Sequence, residues 1–332
     1  MKRTTLKDIA IRAGVSITTV SNVLNKKNIT SYSEDKKQEI LRIAEELNYE
    51  TNLAAKALVT QQSNMIVVLL PPYMLGWIQE SPFYFYLISG IENKANTMGL
   101  DVIIKFIKFS ETVEELLAWA KSRCLHGIVV VGEINKSLIL GLNKLDIPIA
   151  LVDNYTQFKL KNIHYINTMD EYGGMLAARH LMEQGYKRLC ILTSNITEEK
   201  VDYHRYQGFK KAIRQAGYEE SLVIVNTTTY QEGYDISYEV KTMGVDGAFC
   251  TSDILAIGLM DGLTNLGVKI PEDFGVIGFD NISRSKENWL PLTTINQDVI
   301  KKGELAVDTL NNEQSWGSQV KVSVNLIKRQ TT

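Results

Sequence analysis

The pattern of apolar and polar positions changes character once along the chain, near residue 63. Before that point apolar residues recur at helical spacing. Leu6, Ile9, Ala10 and Ala13 fall at i, i+3, i+4 and i+7, the mark of one buried helix face. Thr5 with Asp8 three residues on reads as a capping box at the start of that helix. Gly14 stops it, and Ser16 is placed to cap a second helix with Val20, Val23 and Leu24 inward. A third helix begins near Ser33 and buries Ile40, Ile43, Ala44 and Leu47. The stretch TNLAAKALVTQQS (51–63) has no large core face and predicts a linker that could become helical.

Beyond residue 63 continuous β-type runs appear: MIVVLL (65–70), DVIIKF (101–106), GIVVV (127–131), IPIALV (147–152), LCILT (189–193), GAFC (247–250) and GVIGF (275–279). Helix-length amphipathic stretches such as LISGIENKANTMG and YGGMLAARHLMEQG separate most of them. Unalternating strands divided by helices predict parallel sheets covered on both faces. The series restarts near residue 164, which predicts two α/β lobes of similar design. Crevices at the carboxyl ends of such strands are where small ligands bind.

The second helix, within GVSITTVSNVLN (14–25), carries two serines and two threonines, where stability alone would favour Ala, Leu, Glu and Lys. Two helices joined by a tight Gly-containing turn form a helix-turn-helix. Its second helix enters the major groove with its first residues at the base edges. Short hydroxyls on Ser16, Thr19 and Ser21 suit phosphate oxygens, which position a protein without reading sequence. Ile17, Thr18 and Asn22 are left for bases: Asn22 can match adenine with two bonds, and Ile17 or the Thr18 methyl can pack on a thymine methyl. A polar helical hairpin without a ligand would show much of the same pattern.

Charge sharpens this picture. The net charge of −2 conceals about +5 over residues 1–33 and about −7 over the rest, a basic module on an acidic body. The 332 residues suffice for two or three domains. No run of 18 apolar residues is present, and the start MKRTTLKDIA lacks the apolar core of a secretory signal. Cys124, Cys190 and Cys250 are scattered and odd in number, which suits reduced thiols and a cytoplasmic location. The four histidines have no metal-type partner at i+3 or i+4, so neither a metal nor another cofactor is expected.

TLKDIAIRAGVSITTVSNVLN, with its Ala10, Ala13-Gly14-Val15-Ser16, Thr19-Val20-Ser21 and Leu24-Asn25 landmarks, resembles the DNA-binding headpiece of the lactose-repressor/galactose-repressor (LacI) family of bacterial transcription regulators. The resemblance continues through ELNYETNLAAKAL, SPFYFYLISGIENKANTMG, RYQGFKKAI, CTSDILAIGLMDGLTNLGVKIPEDFGVIGFDN, PLTTINQD and the closing LIKRQTT, in the family's order. It implies an α/β protein with a three-helix helix-turn-helix domain (1–50) and a hinge helix (51–62), then a two-lobed periplasmic-binding-protein-like core (63–332). One lobe is expected over about 63–164 plus 298–325, the other over about 165–297 plus the extreme C-terminal residues. By the same resemblance Ile17, Thr18 and Asn22 are the base readers and Leu58 is a minor-groove wedge, a side chain that unstacks one step and kinks the duplex. Thr5, Ser16, Thr19, Ser21, Asn25 and Lys56 are the expected phosphate contacts. Four residues depart from the usual pattern: Asn22 and Lys56 stand where Arg is common, Thr51 for the hinge proline and Asn48 for a glycine.

The resemblance also implies an effector between the lobes, with Asn167, Arg205, Ser252, Asp253, Asp280 and Gln297 at or near the cleft and Tyr84 and Tyr234 as further candidates. An Arg opposite an Asp, with aromatic walls, suits a polyhydroxylated ligand, a sugar or sugar phosphate. The expected protein is thus a homodimeric DNA-binding regulator, a repressor of carbohydrate-utilisation genes that binds double-stranded operator DNA. No heptad tail follows the last motif, so no tetramer is expected by that route. The competing reading is a soluble sugar-binding protein or a sugar-transforming enzyme. Against it stand the basic headpiece and the lack of a phosphate loop, a Gly-x-Ser-x-Gly elbow or metal-ligand spacing.

Overall fold

Thr5 begins the first helix as the pattern predicts. Its hydroxyl accepts from the Asp8 amide while the Asp8 carboxylate takes the Thr5 N–H at 2.8 Å. The structure, a computed structural model, describes residues 4–24, 32–50, 57, 62–72, 81–158, 160–311 and 317–332. The chain divides into two units, 1–61 and 62–332.

The first unit holds α1 (Leu6–Ala13), α2 (Ile17–Leu24) and α3 (Glu34–Glu46). Gly14 closes α1 in the left-handed region at φ 65°, a conformation without steric penalty only for glycine. The Ser16 hydroxyl accepts from the Thr19 amide at 3.1 Å, and Ser33 caps α3. Ile9, Ala10, Ala13, Val20, Ile40, Ile43 and Ala44 form the core. Asn48 takes φ 46°, which explains a glycine preference there and why asparagine, tolerant of that region, can replace it. The hinge residues 51–56 and 58–61, with Lys56 and Leu58, and Asn25 lie outside the described residues.

Among its described residues the second unit contains two six-stranded sheets. The first is built from β1 (Met65–Leu70), β2 (Asp101–Phe106), β3 (Gly127–Val131), β4 (Ile149–Val152), β5 (Ile163–Thr168) and β11 (Gln319–Val322), in the order β11-β5-β4-β3-β1-β2. The second holds β6 (Leu189–Thr193), β7 (Glu220–Ile224), β8 (Gly247–Cys250), β9 (Gly275–Asp280), β10 (Thr293–Gln297) and β12 (Val324–Ile327), in the order β12-β10-β9-β8-β6-β7. The two orders match strand for strand, and among the described residues β12 alone runs antiparallel to its neighbour. Around the first sheet lie α4 (Pro82–Thr97), α5 (Val113–Lys121), α6 (Lys136–Leu142) and, from late in the chain, α13 (Val299–Leu310). The second carries α7 (Asp170–Glu183), α8 (Val201–Gln215), α9 (Tyr230–Asp235), α10 (Ser237–Thr242), α11 (Asp253–Asn265) and α12 (Ser283–Glu287).

The lobe limits shift from those expected. β5 pairs with β4 and β11, so the first lobe continues to Thr168 rather than ending near 164. The chain returns at Ser323, because β12 pairs with β10 in the second sheet. Both strands escaped the reading of apolar runs because they carry polar residues: β5 reads Ile-His-Tyr-Ile-Asn-Thr yet is buried throughout. None of the described helices is long and apolar enough to cross a membrane.

Helices α7 and α8 meet backbone to backbone. A Cβ on Gly174 would be driven into the Arg205 carbonyl, and one on Gly208 into the Glu171 carbonyl. Glycine at both positions therefore sets the spacing of two helices that carry buried charges. Gly208→Ala is expected to cost about 1–3 kcal/mol by overpacking, with a drop in Tm measured by calorimetry and no change in secondary-structure content.

Candidate functional site

In the first unit, the opening turn of α2 presents Ser16, Ile17 and Thr18 outward, and Ile17 is 48% exposed although apolar. Asn22 and Ser21 are half-buried along the same helix, and Thr5 is exposed at the start of α1. Thr19 is the exception. It is 5% exposed, with its hydroxyl 2.9 Å from the Ser16 hydroxyl and 3.2 Å from the Tyr32 hydroxyl. In the chain without DNA its hydroxyl joins the opening turn of α2 to Tyr32.

In the second unit, a cavity of about 350 Å³ opens at the carboxyl ends of both sets of strands. Arg205, from the first turns of α8, is its central charge. Its Nε donates to Asp170 Oδ1 at 2.8 Å, Nη1 donates to the Thr251 carbonyl at 2.7 Å, and its guanidinium lies 3.7 Å from the centre of the Phe279 ring. Burial by itself would lower the guanidinium pKa, but Asp170, Asp280 and Asp202 hold it above its ordinary value. Asp170 also accepts from the Tyr155 hydroxyl at 2.7 Å, and the Tyr155 ring stacks on His204 at 3.6 Å. Residues of the first lobe thereby touch those of the second. At the rim Lys200 Nζ stands 3.3 Å from Glu133, again across the lobes.

Two aspartates face the cavity from equivalent places. Asp153 follows β4 and Asp280 ends β9, the strands third from the same end of matching sheet orders, with φ 55° and 114°. Each lies in a region that side-chain-bearing residues seldom adopt, a kind of strain that gathers at functional sites. Lys302, 0% exposed on α13, donates to both Asp153 oxygens at 2.8 and 3.0 Å and to Gln297 Oε1 at 2.5 Å. Gln297 Nε2 in turn donates to Asp280 Oδ1 at 2.6 Å. Burial raises the pKa of Asp153 against the pull of Lys302, and burial likewise pushes Asp280 up to about 6 despite Arg205 and the Gln297 bond.

Of the expected effector residues, Tyr84, Arg205, Ser252, Asp280 and Gln297 line the cavity. Three stand elsewhere. Asn167 is buried behind it, exchanging hydrogen bonds with the Asn154 backbone. Asp253, 0% exposed, accepts from the Ile282 amide and the Thr294 hydroxyl. Tyr234 stacks on Tyr230 and accepts from Asn265 Nδ2. The sequence reading missed Asp153, Asp202, Ser194, Glu199, Lys200, Thr251 and the Asn226–Thr229 loop. A signal for Asp153 existed: Val-Asp-Asn (152–154) and Phe-Asp-Asn (279–281) repeat the same end to equivalent strands. Among the described residues no cluster of three metal-type ligands occurs.

Three helices with a polar second-helix face, followed by two matched α/β lobes around a cavity that holds charged side chains, define a DNA-binding regulator with a small-molecule site. Residues 5–52 match the model of bacterial regulatory proteins of the lacI family, and residues 178–332 match that of the periplasmic binding protein-like domain. The chain is 30% identical over 311 residues to the HTH-type transcriptional regulator DegA of Bacillus subtilis (strain 168), covering 91% of this chain and 88% of the relative. It is 29% identical over 313 residues to the HTH-type transcriptional repressor PurR of Haemophilus influenzae, covering 92% and 90%. Among solved structures, a lac repressor dimer bound to operator and the anti-inducer ONPF superposes with a TM-score of 0.80 at 23% identity over 100% and 99% of the two chains. A LacI-family regulator from Enterococcus faecium with bound ribose superposes with a TM-score of 0.70 at 27% identity over 81% and 98%. The chain belongs to the LacI family of bacterial regulatory proteins. It is a DNA-binding transcriptional regulator, not an enzyme.

The buried carboxyl of Asp280 gives a pH signature with a definite sign. With a folded pKa of about 6 against the usual 3.8, the folded chain keeps a proton that the unfolded chain has released, so this group's contribution to stability falls as pH rises from about 4 to about 6. Asp280→Asn removes that fall. The change in Tm from pH 4 to pH 6 should be more positive in the variant than in wild type, and equal changes would show that the folded carboxyl titrates as an unfolded one does.

Proposed function

We propose that this regulator represses carbohydrate-utilisation genes as a cytoplasmic homodimer and is controlled by a neutral sugar held between its lobes. The observation that carries the effector reading is the lining of the cavity. Carboxylates from both lobes (Asp153, Asp202 and Asp280) surround one guanidinium, with Ser194, Ser252 and the Asn226–Thr229 loop adding hydroxyl and amide groups. Paired carboxylates and a guanidinium match vicinal hydroxyls, and charged partners strengthen those bonds. Phe83 and Tyr84, set edge to face at 5.2 Å, offer an apolar wall. The acids on the lining outnumber Lys200 and Arg205, which disfavours a sugar phosphate. The related regulator from Enterococcus faecium holds ribose, which supports the same ligand class. A ligand touching both lobes favours one lobe arrangement over another, as control of DNA affinity requires.

For DNA, Ile17, Thr18 and Asn22 are the proposed base readers, with Thr5, Ser16, Ser21, Asn25 and Lys56 on phosphates and Leu58 as the wedge. The exposed, apolar Ile17 at the start of α2 supports this assignment. The lac repressor neighbour is a dimer on its operator, and the same two-fold arrangement would present two α2 helices to a near-palindromic site.

Two measurements test this reading. Operator binding should weaken steeply with salt, and Asn22→Ala should cost about 1–3 kcal/mol on the preferred site while relaxing preference at one base pair per half-site. A loss that is uniform over all bases would place Asn22 on phosphate. In thermal shift, D-ribose, D-glucose or cellobiose should raise the Tm, with roughly 2.7 kcal/mol gained at 100 times the dissociation constant. Asp280→Ala should abolish the rise, and a rise with hypoxanthine but no sugar would replace the sugar by a purine base.

A further inference from the structure

Asp280 meets the cavity from a backbone that an aspartate does not choose. Its φ of 114° is followed by φ 56° at Asn281, two successive residues in sparsely populated regions. Such a turn persists only when its surroundings over-determine it, and two side chains from elsewhere in the fold hold it. Asp253, at the start of α11, takes the Ile282 amide on Oδ2 at 2.9 Å. Arg329, in the segment after β12, reaches the same turn from elsewhere in the fold. Its Nη1 donates to the Leu292 carbonyl at 2.6 Å and to the Ser285 hydroxyl at 3.2 Å, and its Nη2 donates to Asn281 Oδ1 at 2.5 Å. The Asn281 amide then donates to Asn296 Oδ1 at 2.9 Å, on β10.

We propose that Arg329 is a positioning residue for the effector cavity: its planar fork ties Asn281 to the Leu292 carbonyl and so holds Asp280 at the angle from which it faces a ligand. The inference rests on the reading of Asp280 as an effector contact. The anchor behind the fork is firm. Arg329 N donates to the Thr293 hydroxyl at 3.0 Å, and the Thr331 hydroxyl donates to the Val276 carbonyl at 2.6 Å. The Val276 amide donates to the Thr331 carbonyl at 2.9 Å. These bonds stitch the tail to β9 and β10, the strands that carry Asp280 and Gln297 into the cavity. A lysine cannot replace the fork, because one ammonium lacks the fixed two-sided geometry of a guanidinium.

Amide exchange on the full chain, read by mass spectrometry without any ligand, tests this directly. In Arg329→Ala the peptide spanning 280–283 should exchange at least ~10-fold faster than in wild type, with β8 and α11 unchanged. Adding Arg329→Ala to Asn281→Ala should speed exchange less than Arg329→Ala does in the wild-type chain, because the bond the two residues share is already gone. Arg329→Lys should stay fast. An unchanged turn, an even rise over the whole second lobe, or full restoration by lysine would each overturn the proposal. If Arg329→Ala fails to fold, Arg329→Lys, which keeps the charge and loses the fork, decides alone. With D-ribose as the calorimetric probe, the affinity losses of Arg329→Ala and Asp280→Asn should not add, and additive losses would overturn the proposal. Absence of D-ribose binding to the wild-type chain would count against the sugar reading alone and leave the exchange result to decide this one.

Discussion

The ion pair between Arg205 and Asp170 organises the second unit. Both side chains are almost wholly removed from water, at 6% and 0% exposure. A buried pair of this kind gains little net stability, but removing either partner strands a charge and is costly. The structure surrounds it accordingly. Asp170 opens α7 directly after the chain crosses between lobes at Met169, Arg205 comes from α8, Thr251 supplies a carbonyl from the end of β8, and Phe279 lends a ring from β9. Tyr155, from the first lobe, closes the set through its hydroxyl. The reciprocal glycines of α7 and α8 bring these helices near enough for the pair to form.

That pair leaves the cavity rich in carboxylates. Lys302 answers for Asp153, while Asp202 has the Ser194 hydroxyl at 2.6 Å and Asp280 has the Gln297 amide. Carboxylates with neutral partners in a partly dry site keep acceptor capacity for a ligand's hydroxyl protons. The chain Asp153–Lys302–Gln297–Asp280 also joins a strand end of each lobe through a helix that packs on the first sheet. A ligand touching either aspartate therefore acts on groups that span the lobe junction.

The first unit solves a different problem with little material. Among the described residues seven buried side chains centre its core, and polar groups share in the local structuring. Ser16 and Thr19 spend their hydroxyls on the opening turn of α2, and Lys36 reaches the Ala13 carbonyl at 2.7 Å to satisfy the end of α1. What is left facing outward on α2 is a short surface of Ser16, Ile17 and Thr18.

Much of this was legible in the sequence because the signals are local. Caps at Thr5, Ser16 and Ser33, the stop at Gly14 and the apolar runs of β1, β2, β3, β6 and β8 each depend on residues within a few positions of one another. The family motifs carried Tyr84, Arg205, Ser252, Asp280 and Gln297 to the cavity in the same way. Tertiary structure decided the rest. β5 and β10 are polar strands that periodicity cannot find, buried because their side chains meet partners far along the chain, as Thr294 meets Asp253 and Thr293 meets Thr331 and Thr332. Lys302 and Asp153 are 149 positions apart, and Arg329 and Asn281 are 48 apart. Hydrophobic pattern reports which apolar residues are buried; that a polar residue is buried, and against which distant charge or amide, follows only from the order in which the strands lie side by side.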